Sequence, residues 1–300
     1  HNKTVVVNGP KTKAVLVGST NASWRGFFVQ NNNAVVIWGE AAVRVVSAAF
    51  DDYWQHGASA PAFAASASSA WHTLRIPGID IELGFFPRSA QNAALQSIAD
   101  DIRRNTTSSL FFSLAFLYQT PGPIRDAIRS LGEKKHVFCY GISDHAVERL
   151  DGPETSGVDL RKPNGIVRSI HPAEISRHIP PPFSKEPVGG GGTRMHHKFV
   201  VIDYNLPSAR VYAGSYNFSS AADAHNGENL LLMRDRRIAV AYMVEALRIF
   251  DHYHFRVAVD EHKNVGPLHL QLAPTKDDVP AWWEKYYSDR VKEADRLLFR

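Results

Sequence analysis

Cysteine is almost absent from this chain: Cys139 is the single one among 300 residues. No intramolecular disulfide can therefore staple the fold, and a thiolate metal cluster is excluded with it. Long apolar runs are missing too. The longest, around Leu110–Tyr118, is about nine residues broken by Ser113, where a bilayer span needs about 20. No secretory leader is visible: the sequence opens His1-Asn2-Lys3, and its first methionine is Met195. The expectation is a processed or trimmed sequence with room for a targeting signal outside it. One cysteine and no spanning run favour the cytoplasm but leave the compartment open. Strong charge of one sign is lacking as well. A net charge of +4 leans toward an anionic partner such as a phosphate ester without requiring one. What remains, 44% hydrophobic and 21% charged residues, is the make-up of an ordinary globular protein of one large or two moderate domains.

The informative feature is a repeat. Residues 196–255 read H-H-K-F-V-V-I-D, then A-G-S-Y-N-F-S, then N-G-E-N-L-L-L-M, then a helical run ending F-D-H-Y. Residues 1–54 read H-N-K-T-V-V-V-N, then V-G-S-T-N-A-S, then N-N-N-A-V-V-I-W, then a helical run ending F-D-D-Y. His1 to Gly18 is 17 positions and His196 to Gly214 is 18. Order and spacing match, so one supersecondary unit occurs twice.

Each copy predicts three strands and a helix. Lys3–Val7 and Lys198–Ile202 are β-branched-rich first strands. Ala14–Val17 and Arg210–Ala213 follow, each delivering a G-S-x-N turn; Val35–Trp38 and Leu230–Met233 are third strands. Val43, Val46 and Phe50, and Ile238, Met243, Leu247 and Phe250, recur at helical spacing. Ahead of the second copy, strands at Ile81–Phe86, Leu110–Leu117 and Val137–Ile142 alternate with helices at Ala93–Arg104 and Ile124–Leu131. That pattern predicts an α/β fold, a mixed sheet flanked by helices. The first copy has no such opening section, so part of the first half is expected to be missing from this chain.

These readings divide the sequence into 1–56, the C-terminal part of a first half; 57–79, a linker rich in Ala and Ser; 80–260, a second half; and 261–300, a tail. Gly152–Thr193, rich in Pro and Gly, enters the second histidine motif directly. It reads equally as an active-site loop or as a disordered insertion. The tail aromatics Trp282, Trp283, Tyr286 and Tyr287 are expected to pack on their own domain, with a lipid interface or base stacking as the alternative. Arg234, Arg236 and Arg237 read as a solvated helix start.

His196, Lys198, Asp203, Gly214, Ser215, Asn217 and Ser219 spell H-x-K-x4-D followed by G-S-x-N-x-S. Seven specified positions arise by chance on the order of once per billion registers. In this the chain resembles the phospholipase D superfamily over residues 1–56 and 80–255. The resemblance implies two pseudo-symmetric halves fused in one monomer and a phosphodiester hydrolase working through a phosphohistidine. Phospholipid is the expected substrate, with peripheral membrane contact. A nuclease or nucleic-acid end-processing enzyme is the first alternative, and a catalytically weakened phosphate-binding protein the second.

The chemistry suits the residues. His196 and Lys198 lie two apart on a strand and share a face, while His197 points to the other and reads as packing. Lysine and amide donors stabilise charge shifting on phosphorus, so Lys3, Lys198, Asn21 and Asn217 are candidate catalytic groups beside His1 and His196. Ser19, Ser23, Ser215 and Ser219 are candidate substrate contacts. No metal-ligand spacing occurs, and no cofactor is expected. The copies differ where Asn8 stands for Asp203 and, by spacing, where Asn33 or a neighbouring asparagine stands for Glu228. In the family that glutamate orients a catalytic histidine. Pairing it with His196 raises that imidazole's pKa, which makes His196 the general acid and His1 the nucleophile.

Overall fold

A computed structural model describes residues 1–56, 59–88, 92–132, 134, 136–144, 147, 160–161, 192–262 and 281–300. Thr4–Asn8 (β1), Lys13–Gly18 (β2) and Ala34–Trp38 (β3) form an antiparallel three-stranded sheet, with the short helix Trp24–Phe28 (α1) between β2 and β3. Glu40–Gln55 (α2) follows, burying Ala42, Val43, Val46 and Ala49 along one stripe. Ala60–Ala64 (α3), Trp71–Ile76 (β4), Ile79–Phe86 (β5), Ala93–Asn105 (α4), Ser109–Leu114 (β6), Pro123–Gly132 (α5), Phe138–Ile142 (β7) and Leu160–Arg161 (β8) come next. Lys198–Ile202 (β9), Arg210–Gly214 (β10), Ser220–Ala224 (α6), Glu228–Arg234 (β11) and Arg236–His262 (α7) are the second copy, and Lys285–Ser288 (α8) and Arg290–Leu298 (α9) close the chain.

The larger sheet runs β4-β5-β11-β10-β9-β6-β7-β8. Only β6 and β7 pair in parallel among these neighbours, so the sheet is mixed, as the alternation of strands and helices predicts. Its strands β6, β7, β9, β10 and β11 are buried on both faces. Phe111, Phe199, Val201, Val211 and Leu231 pack into one core with α2, α7 and the inner face of the small sheet. Their neighbours Phe112, Val200, Ile202 and Leu230 pack into a second core with Leu95, Ile98 and Ile102 of α4 and Ile124 and Ile128 of α5. Period-two alternation with apolar residues on both sides is what a sheet between two helical layers requires. The small sheet has one layer only: Val5, Val7, Val36 and Trp38 are exposed on the side where α4 and α5 cover its counterpart.

The elements fall close to their expected places, with one revision to the boundaries. The linker expected over 57–79 is not a spacer. Phe63 of α3 stacks on Tyr53 with ring centroids 4.0 Å apart, and β4 joins the large sheet against β5. Small residues suppress the periodicity that would betray α3, and β4 alternates weakly. Residues 57, 58 and 263–280, and all of the Gly152–Thr193 stretch except 160, 161, 192 and 193, lie outside the described residues. Trp282, Trp283, Tyr286 and Tyr287 are partly exposed, with Lys292 over the Tyr286 ring and Arg296 over the Tyr287 ring, while the end of the tail docks through Tyr204, whose hydroxyl donates to Leu298 O at 2.6 Å. Arg234 is held by Asp80 and Glu82, and Arg237 by Asp235, at the surface.

Asp203 is a structural residue. It is fully buried at a positive φ of 51°, where β9 ends. Its carboxylate accepts from the backbone N–H groups of Thr107, Ser108 and Ser109 and from the Thr107 hydroxyl, all at 2.8–3.1 Å. It thereby ties the end of β9 to the start of β6, the strand beside it. Asn8, its counterpart, is exposed and accepts from Lys13 Nζ. Neither supports the histidines, because each sits at the far end of the strand that carries them. Asp203→Ala removes the acceptor of four donors, of which the Ser109 N–H is buried, so a loss of roughly 2 kcal/mol of unfolding free energy is expected in urea titration. An unchanged midpoint would contradict the role.

Candidate active site

The two copies meet at the ends of their first strands. Asn31, just before β3, bridges in parallel to Met195, just before β9. Its N–H donates to Arg194 O at 2.8 Å, and His196 N–H donates to Asn31 O at 2.9 Å. On the other side of the junction Asn229 Nδ2 donates to Asn2 Oδ1 at 2.6 Å. These joints set each histidine against the opposite copy.

His1 Nδ1 lies 2.7 Å from Glu228 Oε1. Glu228 is fully buried; its other oxygen accepts from Ser215 Oγ at 2.6 Å, and Asn217 Nδ2 approaches Oε1 at 3.4 Å. His196 Nδ1 lies 2.8 Å from Asn32 Oδ1, which also accepts from Ser19 Oγ at 3.0 Å. Asn32 Nδ2 donates to Gly26 O at 3.0 Å, which turns Oδ1 toward the ring and makes Nδ1 the protonated nitrogen of His196. The carboxylate thus belongs to His1 and the amide to His196. This corrects the expected pairing of Glu228 with His196. It also corrects Asn33, whose Oδ1 instead accepts from Tyr242 at 3.2 Å.

The residue in register with Glu228 follows from the ladders. Gly18 pairs with Ala34 and Gly214 with Leu230, so the positions two before those partners are Asn32 and Glu228. At both glycines the neighbouring strand comes so close that an added Cβ would collide with Asn33 O or Asn229 O. Glycine there is a requirement of close approach, and it places the following serine directly beneath the acceptor. Ser19 Oγ accepts from Asn33 N–H at 3.1 Å and Ser215 Oγ from Asn229 N–H at 2.9 Å. Both hydroxyls aim Asn32 and Glu228. Ser23 and Ser219 cap α1 and α6 through Gly26 N–H and Ala222 N–H, so they too are structural.

Lysines complete the cluster. Lys198 is buried, donating to His196 O at 2.9 Å and to His196 Nε2 at 3.1 Å, with its ammonium over the Phe116 ring. Lys3 Nζ donates to His1 O at 2.6 Å. Burial lowers the pKa of Lys198 to about 7, with repulsion from Lys3 adding and Glu228 opposing. Burial also lowers Lys3, against the pull of Glu228. Glu228 is pushed up to about 7 by burial, in spite of Ser215 and the lysines. Burial, then Lys198 and Lys3, depress His196 to about 3, so its imidazole is neutral in the empty site. The side chain of Asn217 reaches this cluster with its Oδ1 buried and unpartnered; Asn21 lies half-buried at the equivalent turn. His197 faces away, fully buried between Ser113 and Glu245 of α7.

Asn32, Phe116, Asn2, Asn31 and Asn229 were not among the expected site residues. Counting outward from the two glycines, rather than along the N-N-N run, identifies the first. The others carry no motif. Beside His1 a cavity of about 220 Å³ opens between Tyr53, Phe63, Pro87, His56 and His225.

Comparison with known proteins gives the family of the chain. Residues 154–250 match the family model described as the phospholipase D-like domain of cardiolipin synthase. A phospholipase D of Rickettsia felis is 40% identical over 167 residues, 53% of this chain and 80% of the relative. A mitochondrial cardiolipin hydrolase of Xenopus tropicalis is 41% identical over 59 residues, 20% of this chain and 26% of the relative. Among solved structures, the phosphatidylserine synthase of Haemophilus influenzae Rd KW20 shares the fold with a TM-score of 0.51 at 12% identity, over 80% of this chain and 60% of that one. The chain belongs to the phospholipase D superfamily and is a phosphodiester hydrolase.

Proposed function

We propose that the protein cleaves a phospholipid diester through a covalent phosphohistidine on His1, with His196 as general acid and base. The observation that carries this is the crossed pairing of the two imidazoles with Glu228 and Asn32, flanked by Lys3 and Lys198. His1 Nε2 attacks phosphorus, the bond to the leaving oxygen breaks, and His196 protonates that oxygen. Water then attacks phosphorus while His196 takes its proton, and the P–N bond breaks to free His1.

The assignment keeps His1 as nucleophile but reverses the reason for it. Attack turns a neutral ring into a phosphoimidazolium, which needs a negative neighbour. Opposite unit charges about 4 Å apart gain roughly 4 kcal/mol at an effective dielectric near 20, and only His1 has such a partner. At His196 the Nε2 lone pair is already occupied by Lys198. A bound phosphate draws both ammonium groups onto its own oxygens and brings negative charge to Nε2, so His196 gains its proton with substrate. Lipid is favoured because relatives named phospholipase D and cardiolipin hydrolase share the sequence. No helix among the described residues is long and apolar enough to cross a membrane, so lipid would be met at its surface.

Three outcomes are expected. In parallel assays with excess EDTA, phosphatidylcholine or cardiolipin liposomes are hydrolysed and plasmid DNA is not; cleavage of DNA alone reverses the substrate reading. His196→Ala slows diesters with poor leaving groups far more than those with good ones, because only the former need protonation, whereas His1→Ala abolishes both. Identical responses to leaving-group pKa would remove the assignment. The profile of kcat/KM against pH is a narrow bell near neutrality. As pH falls through about 7, Glu228 gains a proton and stops supporting His1. As pH rises through about 7, Lys198 loses its charge and releases the phosphate. Glu228→Gln should lower kcat, erase the acid limb and move the alkaline limb to lower pH, because Glu228 raises Lys198; survival of the acid limb would detach it from Glu228.

A further inference from the structure

The repeat also duplicates a tyrosine that motif chemistry does not use. Tyr53 near the end of α2 and Tyr253 on α7 occupy matching places in F-D-D-Y and F-D-H-Y. Each crosses to the opposite copy. Tyr253 OH accepts from Asn31 Nδ2 at 2.7 Å, one residue before the Asn32 that holds His196. The Tyr53 ring lies against Gly227, one residue before the Glu228 that holds His1; an added Cβ there would sit 3.4 Å from the ring. The Tyr53 hydroxyl donates to Phe86 O and accepts from Asn2 Nδ2 at 3.4 Å, beside His1. The contacts are therefore related by the same pseudo-symmetry as the histidines. In each case the tyrosine hydroxyl of one copy holds the other beside the acceptor: Tyr253 through Asn31, next to Asn32, and Tyr53 through Phe86, the strand partner of Glu228.

We propose that Tyr53 and Tyr253 are positioning residues, each the second hold on the strand end that carries the acceptor for its own copy's histidine. A single hydrogen bond lets an imidazole pivot about its acceptor. A second hold one residue away fixes the acceptor and with it the direction in which Nε2 faces phosphorus. Tyr253 is buried, so its bond to Asn31 is shielded from competing water. Misaligning a reacting atom by about 1 Å can cost on the order of a hundredfold in rate, so loss of one brace should cost less than loss of a histidine.

The test uses Tyr→Phe changes, which remove only the hydroxyl, assayed on bis(4-nitrophenyl) phosphate and on diphenyl phosphate, the poorer leaving group. This rests on the roles proposed for the two histidines. Tyr253→Phe should lower kcat on diphenyl phosphate about tenfold and on the nitrophenyl diester less than threefold, with KM nearly unchanged. Asn31→Ala should do the same, and the double variant should be no slower than the worse single one. Tyr53→Phe, acting through the nucleophile, should slow both diesters equally. Additive losses at Tyr253 and Asn31 would overturn the brace. Non-additive losses that ignore the leaving group would keep the brace and overturn the assignment of His196 as acid.

Discussion

Everything in this site depends on one constraint: the motif histidine of each copy finds its hydrogen-bond acceptor in the other copy of the repeat. His1 on the small sheet takes Glu228 of the large one, and His196 on the large sheet takes Asn32 of the small one. Neither copy alone can fix its imidazole, since the acceptor two residues before the strand partner of each glycine faces outward across the junction. The fold must therefore hold two sheets in one register to within a hydrogen-bond length. Helices α2 and α7, packed between the sheets in a shared core, supply the rigidity. The bridge from Asn31 to Met195 and the bond from Asn229 to Asn2 supply the local alignment.

Burial supplies the chemistry that this alignment makes possible. Two lysines and a carboxylate are enclosed together, and desolvation penalises every charged form. Glu228 and Lys198 move toward neutrality from opposite ends of the pH scale and meet near 7. A site of this kind is poised, because its charged groups are poorly solvated. A phosphodiester supplies an anion. The lysines then regain a reason to be charged, and the same event removes the lysine from His196 Nε2. Preorganised donors waiting for a charge that only the substrate brings are how such a site favours a transition state over water.

Much of this was legible in the sequence. The repeat, the strand order within each copy and the placement of His196 with Lys198 on one face follow from period-two and spacing arguments, and the structure has them. The failures have physical causes. Three consecutive asparagines, Asn31 to Asn33, look equivalent by composition, and a shift of one residue reverses which side chain meets the histidine. The pairing of copies is worse concealed, because spacing within a copy says nothing about which copy an acceptor serves. Hydroxyls in G-S-x-N-x-S looked like substrate ligands for a similar reason. Only the geometry shows Ser19 and Ser215 turned toward the acceptors and Ser23 and Ser219 turned toward helix N-termini.

The difference between the copies is best understood as a division of labour imposed by duplication. Two identical acceptors would give two histidines the same preference for a proton, whereas the proposed reaction asks one ring to carry phosphorus and the other to carry a proton. A glutamate on both sides would also enclose a second carboxylate in a site that must accept a phosphate, which costs binding by like-charge repulsion. An amide on both sides would leave the phosphoimidazolium without a counter-charge. One of each satisfies both demands. Asn32 keeps the aiming geometry of its counterpart, down to the serine beneath it and the glycine before that serine, while it is shorter, uncharged and itself donates to Gly26 O. The asymmetry therefore lies in one side chain while the scaffold around it stays symmetric.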